Sequence, residues 1–193
     1  MHAPDFIEPV VGWRLWHVAE RDGALRLVSP LYRTTWPTRR ELVACCRRGM
    51  ESGLSLYWPG IRRHPPPHPG CRCGIYGSQT PAQAAMYLSG FFKQREDVVH
   101  RVLGTVSLWG TVVECERGWR ASHAYPRQIH VPATRRRRLS FLRGLRRPSL
   151  PAEEIALALT DYGVPVELVE CGSIRELAEM LSCPASDLLV EPA

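Results

Sequence analysis

Ile61-Arg62-Arg63-His64-Pro65-Pro66-Pro67-His68-Pro69-Gly70-Cys71-Arg72-Cys73-Gly74 sets two imidazoles and two thiols within ten residues, on a backbone that its prolines keep out of helix and sheet. A segment of this kind has little apolar surface to bury. Zinc takes Cys sulfur and His nitrogen in a closed tetrahedral shell, so the cluster reads as a metal staple that organises the fold around it. Cys71 and Cys73 would face opposite ways on a straight strand and can share a metal only if the chain turns between them. Gly70 and Gly74 bracket the pair and allow that turn. Residues 65 to 69 favour a polyproline II helix with three residues per turn, which would keep His64 and His68 off a common face, so one of them is expected to ligate.

The fourth ligand is then sought in Cys45 or Cys46. Thr38-Arg39-Arg40-Glu41 has the pattern of a capping box and predicts a helix over 39 to 48, with Leu42, Val43 and Ala44 drawing Cys45 to its apolar face. The expected metal ligands are therefore Cys46, His64, Cys71 and Cys73, with His68 or Cys45 as substitutes. A single Cys-x-Cys is less specific than paired Cys-x2-Cys knuckles, and the competing reading is surface histidines beside buried thiols. The His-x-Glu with Pro-Cys-x-x-Cys of zinc deaminases and the His-Glu-x-x-His of metalloproteases are both lacking, which favours a structural zinc over a catalytic one.

Around this cluster, Asp22-Gly23 between alternating apolar residues predicts a hairpin of Gly12 to Val18 with Leu25 to Val28. Thr80-Pro81-Ala82-Gln83 caps a helix expected to run to about residue 95. Two long strands, 102 to 114 and 119 to 131, should meet at Glu116-Arg117-Gly118, with Gly104 and Gly110 marking bulges of a curled sheet. Pro151 opens a helix to Tyr162, 164 to 171 reads as a strand, and Ser173-Ile174-Arg175-Glu176 caps a last helix to about 182. The fold class is α+β: a small curved antiparallel sheet or partial barrel with flanking helices, zinc-stapled, plus a small C-terminal helix-strand-helix unit. The expected domains are a zinc-stabilised domain over 1 to 133, a basic connector over 134 to 148 and an acidic unit over 149 to 193.

The 193 residues carry 24 Arg, one Lys and seven Cys, an odd number at irregular spacing that argues against a disulfide framework. No apolar run is long enough for a membrane span, and the N-terminus has no signal-peptide pattern, so a cytoplasmic location is expected. Charge is unevenly spread: 135 to 147 hold seven Arg and no acid, whereas 148 to 193 hold nine acids and one Arg. Guanidinium groups pair bidentately with phosphate oxygens and displace counterions from a polyanion. Arg135, Arg136, Arg137, Arg138, Arg143, Arg146 and Arg147 are thus the expected nucleic-acid contacts, with Leu139, Leu142 and Leu145 forming a stripe if the segment is helical. The competing reading is a solvated linker neutralised by the acidic unit. Most of the tryptophans (13, 16, 36, 58, 109 and 119) are expected in the core.

The function expected is a cytosolic binding module for nucleic acid, or a component of a nucleoprotein assembly, rather than an enzyme. Two alternatives compete with it. One is a protein-protein adaptor using the acidic unit; the other is a zinc-dependent or nucleotide-processing hydrolase built on Glu114, Glu116, Arg120 and His123, or on Cys115 with His123.

Overall fold

The computed structural model describes residues 8–46, 64–86, 97–133 and 150–183. Asp22 and Gly23 both take positive φ, 51° and 76°, as a type I′ turn requires, and they join β1 (Val10–Arg21) to β2 (Ala24–Val28) in the expected antiparallel hairpin. The second hairpin is longer than its sequence pattern: β5 (Val98–Cys115) turns through Glu116 and Arg117 into β6 (Gly118–Ala133). Its ladder slips twice. One residue is added on β6 at Arg127, where the pairing passes from Val106↔Pro126 to Thr105↔Gln128, and Gly110 with φ 74° sits in the other irregularity, between Trp109 and Val112. Such bulges bend and twist a strand, and here they let the sheet curl until it closes. β1 pairs β5, β5 pairs β6, β6 pairs the short β4 (Ile75–Ser78), and β4 returns to β1 at Trp13↔Ser78. The chain is therefore a mixed α/β protein dominated by one curved sheet.

β6 is the spine of that sheet. One edge is taken by β5; the other is tiled end to end by β4, β3 (Leu42–Val43) and β7 (Val166–Glu170), the last of these in parallel. The register shows how the tiles meet. Leu42 lies opposite Ala124, Val43 opposite His123, the Ala44 amide donates to the Ser122 carbonyl at 2.7 Å, and Ile75 lies opposite Ala121. β3 and β4 are thus two halves of one composite strand: the chain leaves the sheet after Ala44 and rejoins it at Ile75, at the next place in the same register.

This corrects the helix expected over 39 to 48. Arg39 has φ 57°, outside the helical region, and its amide donates to the Tyr125 hydroxyl at 2.7 Å. From Leu42 to Cys46 exposure alternates with period two, as on a strand with one covered face. The capping-box residues carried a local preference that pairing with the distant β6 edge overrode. The other capping box holds: Thr80 Oγ1 accepts from the Gln83 amide at 3.2 Å, the Gln83 side chain accepts from the Thr80 amide, and α1 (Pro81–Ala85) begins there. The extension expected to about residue 95 lies outside the described residues.

Two apolar layers flank the sheet. On one face Trp16 and Trp36, both fully buried, meet edge to face at 5.5 Å and pack with Leu27, Val106, Leu108 and Ile129. Ile155 and Leu159 of α2 (Ala152–Leu159) and Tyr162 close this layer. The Tyr162 hydroxyl accepts from the Leu27 amide and donates to the Trp36 carbonyl, each at 2.9 Å, and burial pushes its pKa up from 10.0 to about 12. On the opposite face Leu15 and Leu103 pack against α1 and the apolar side of α3 (Ile174–Ser182), which Ser173 caps through the Glu176 amide at 3.2 Å. Among the described residues no helix is long and apolar enough to cross a membrane.

Candidate metal centre

The excursion from 45 to 74 has its neck where β3 ends and β4 begins, and the cysteine-histidine cluster sits at that neck. Strand alternation buries Leu42 and Ala44 partly and turns Cys46 the same way, leaving Val43 and Cys45 exposed. Cys46 is therefore brought to the cluster by a two-residue period, not by the helical face anticipated for Cys45. On the returning limb the chain bends at 66 and 67, and the Cys71 amide then donates to the His68 carbonyl at 3.0 Å. This replaces the expected polyproline II geometry, and the rings of His64 and His68 lie against each other at a tilt of 36°, with centroids 4.5 Å apart. Gly74 has φ 121° and turns the chain into β4.

Cys46, His64, Cys71 and Cys73 each offer a ligand atom within 4.8 Å of the others, close enough to hold one metal ion. A tetrahedral zinc shell places neighbouring sulfurs about 3.8 Å apart and a sulfur about 3.5 Å from a nitrogen, given Zn–S near 2.3 Å and Zn–N near 2.05 Å. Cys46 Sγ is 3.8 Å from Cys71 Sγ and 3.4 Å from His64 Nε2, so the donors match that shell in type and, in these two distances, in spacing, while Cys73 Sγ lies 3.9 Å from the other ring nitrogen, His64 Nδ1. His64 Nδ1 lies 3.2 Å from the Pro65 carbonyl oxygen. A proton on Nδ1 donated there leaves Nε2 as the lone-pair nitrogen, which is the usual way a ligating imidazole is oriented.

The remaining soft side chains are placed elsewhere. His68 is exposed and its Nδ1 accepts from the Gly70 amide at 3.1 Å, bracing the turn before Cys71. Cys45 is exposed and outside the set.

The electrostatics of the cluster suit a cation. Burial pushes the Cys71 thiol up, but hydrogen bonds from the Cys73 amide, His64, Cys73 and Cys46 outweigh it and bring the pKa from 9.0 to about 6. Cys73 moves the other way: burial raises it, and the neighbouring Cys71 and Cys46 sulfurs raise it further against the bond that lowers it. Three sulfurs this close repel as thiolates. A divalent cation among them removes that repulsion and holds all three deprotonated.

Arg120 supports the loop from the sheet side, a role that sequence pattern did not disclose. Its Nη1 donates to the Cys71 carbonyl and, at 3.2 Å, to the Cys73 carbonyl; its Nε donates to Cys115 Sγ at 3.3 Å; and its guanidinium lies over the Tyr76 ring at 6.0 Å. The Trp119-Arg120 alternation read as an apolar residue in and a polar one out, yet Arg120 is 7% exposed. No local signal marks its hold on the metal loop, because the Cys71 and Cys73 carbonyls lie 49 and 47 residues back along the chain.

The polar group considered for acid-base work is dispersed. His123 stacks on Trp109 with centroids 6.0 Å apart and its Nδ1 lies 2.8 Å from Ser122 Oγ, while Glu114 is exposed on the strand opposite Trp119. Cys115 pairs with Gly118 and His123 with Trp109, which separates the two by five positions along β6, roughly 16 Å. The arginines expected to contact nucleic acid (135 to 138, 143, 146 and 147) lie outside the described residues. No family model, curated protein or solved structure matches this chain.

Proposed function

We propose that the chain is a zinc-stapled binding module that contacts nucleic-acid phosphates through its arginine-rich segment. The observation that carries the metal part is the convergence of Cys46, His64, Cys71 and Cys73 at the neck of the excursion with the spacing of a tetrahedral shell. Four protein ligands fill such a shell and leave no place for a reactive water, so the zinc serves structure. The ion ties the end of β3 to the start of β4, and Arg120 fixes the carbonyls of the two Cys-x-Cys ligands.

The nucleic-acid part is supported by sequence. Seven arginines without an acid fall within residues 135 to 147, a density suited to a polyanion. Metal analysis of the purified protein should find about one zinc per chain. Affinity for duplex DNA or RNA should fall steeply with salt, by a log-log slope of about −0.7 to −0.9 for each phosphate neutralised. Replacing Arg135 to Arg138 together by alanine should weaken binding more than about tenfold and flatten that slope, since four phosphate contacts are removed. Binding that is insensitive both to salt and to this replacement would rule the nucleic-acid reading out.

A further inference from the structure

Cys46 reaches the metal centre from the end of β3 and Cys71 from the turn that leads into β4, so the two stand on opposite limbs of the neck. Their sulfurs are 3.8 Å apart. An S–S bond between them would tie the same two limbs that the zinc ties, and closing to bonding distance takes a shift of about 2 Å in side chains free to rotate. Cys71 and Cys73 are separated by a single residue, so a bond between them closes a small, strained ring. Arg120 also holds both of their carbonyls in the geometry of the turn. All three sulfur ligands are partly exposed and line a cleft of about 1080 Å³, which gives a small oxidant a path to them.

We propose that Cys46 and Cys71 are a site of reversible oxidation, at which a peroxide converts the zinc clasp of the neck into a disulfide clasp. The inference rests on the metal part of the proposed function and adds a second state to that site. One sulfur attacks a peroxide oxygen; the O–O bond breaks, the departing hydroxide takes up a proton and leaves as water, and a sulfenic acid forms. The second sulfur attacks the first, the S–O bond breaks, and another protonated hydroxide leaves as the S–S bond closes. Two thiolates give up two electrons, the peroxide is reduced to two waters, and the two protons come from solvent. Of the four ligands only Cys73 and His64 then remain, half of a closed shell, and Zn²⁺ leaves.

The exchange alters what the neck presents while keeping it closed. Cys73 becomes a thiol and His64 Nε2 an open ring nitrogen, both released from the ion. Cys46 and Cys71 stay joined, so Ala44 and Ile75 keep their adjacent places on β6. The reduced, metal-free chain has neither clasp. Its thermal midpoint should therefore lie about 5 °C or more below that of the oxidised chain, since the disulfide restrains the unfolded chain across the whole excursion.

The test uses the full zinc-loaded chain, hydrogen peroxide and a chromophoric chelator that reports released zinc. Cys45→Ser is run beside the wild type, because Cys45 and Cys46 share one tryptic peptide whereas cleavage after Arg72 separates Cys71 from Cys73. Peroxide should release about one zinc per chain from both proteins. Mass analysis of the unreduced Cys45→Ser digest should find the Cys46 peptide joined to the Cys71 peptide, and a thiol reductant with added zinc should restore the metal. Zinc release without that link, or with a link from Cys71 to Cys73, would overturn the assignment, as would zinc retained with its thiols intact. An oxidised midpoint no higher than that of the reduced, chelated chain would overturn the clasp. A reduced chain that carries no zinc removes the staple and the exchange together; one that carries zinc and forms no Cys46–Cys71 link removes the exchange alone.

Discussion

The β5–β6 hairpin and the neck of the excursion lie side by side on the same spine, and they hold their shapes by different means. The hairpin is paired along most of its length and buries Val102, Leu103, Val106, Leu108, Ile129 and Val131 from water. The neck has few backbone bonds of its own among the described residues, and its shape comes from side chains converging on one point: three sulfurs, an imidazole, and Arg120 gripping two carbonyls. Apolar burial is spread over many residues and degrades gradually when one is altered. A metal shell concentrates comparable stabilisation in four atoms and fails as a unit.

The contrast is tested most severely by removing the proposed zinc. A strong chelator, or Cys71→Ser, should lower the thermal midpoint by on the order of 10 °C, corresponding to several kcal/mol. Amide exchange should become fast from 42 to 46 and 64 to 75 while the hairpin from 98 to 133 stays protected. Equal loss of protection in both regions would show that they are one cooperative unit and would break the comparison.

Tyr162→Phe addresses the burial side. It leaves the Leu27 amide buried without its acceptor and should cost about 1–3 kcal/mol in denaturant unfolding without changing zinc content. The same residue sets a pH limit. Its folded pKa of about 12 exceeds the unfolded value of 10.0, so the unfolded chain releases its proton first as pH rises. Stability is therefore full below pH 10 and falls as pH rises toward 12, by about 2–3 kcal/mol, a loss the Phe variant should lack.

The smallest effects should come from the two side chains that flank the four-ligand cluster without joining it. His68→Ala and Cys45→Ser are expected to change stability by less than about 1 kcal/mol and to leave zinc stoichiometry intact, as read by metal analysis. Loss of zinc from Cys45→Ser would mean that the chain can enter the neck with the other cysteine inward.

Local chemistry made the two hairpins and the capped helices legible. Asp22-Gly23 and Arg117-Gly118 announce turns whatever the rest of the chain does, and Thr80 and Ser173 satisfy first-turn amides within three residues. The segment from 39 to 46 has the local pattern of a helix and forms a strand because its partner, β6, lies some eighty residues away, and no window of sequence shows that an edge awaits it there. The ligand set could be read because cysteine and histidine advertise chemistry by type. Cys46 was reached on the wrong periodicity: a helical face and a strand face both separate adjacent residues, so either model chooses between neighbours. Arg120 could not be read at all, since alternation says which residues share a face but not which register brings that face against the loop.

The register that runs unbroken from Ala44 to Ile75 makes the neck a splice point. A sheet that places these two residues opposite neighbours on β6 is indifferent to what is strung between them, and closing a longer loop adds only about 0.6 kcal/mol for each doubling of its length. Segments of other lengths and compositions can be exchanged there without disturbing the barrel, provided each brings its own clasp. On that view the four ligands form a clasp at the seam where this segment joins the sheet.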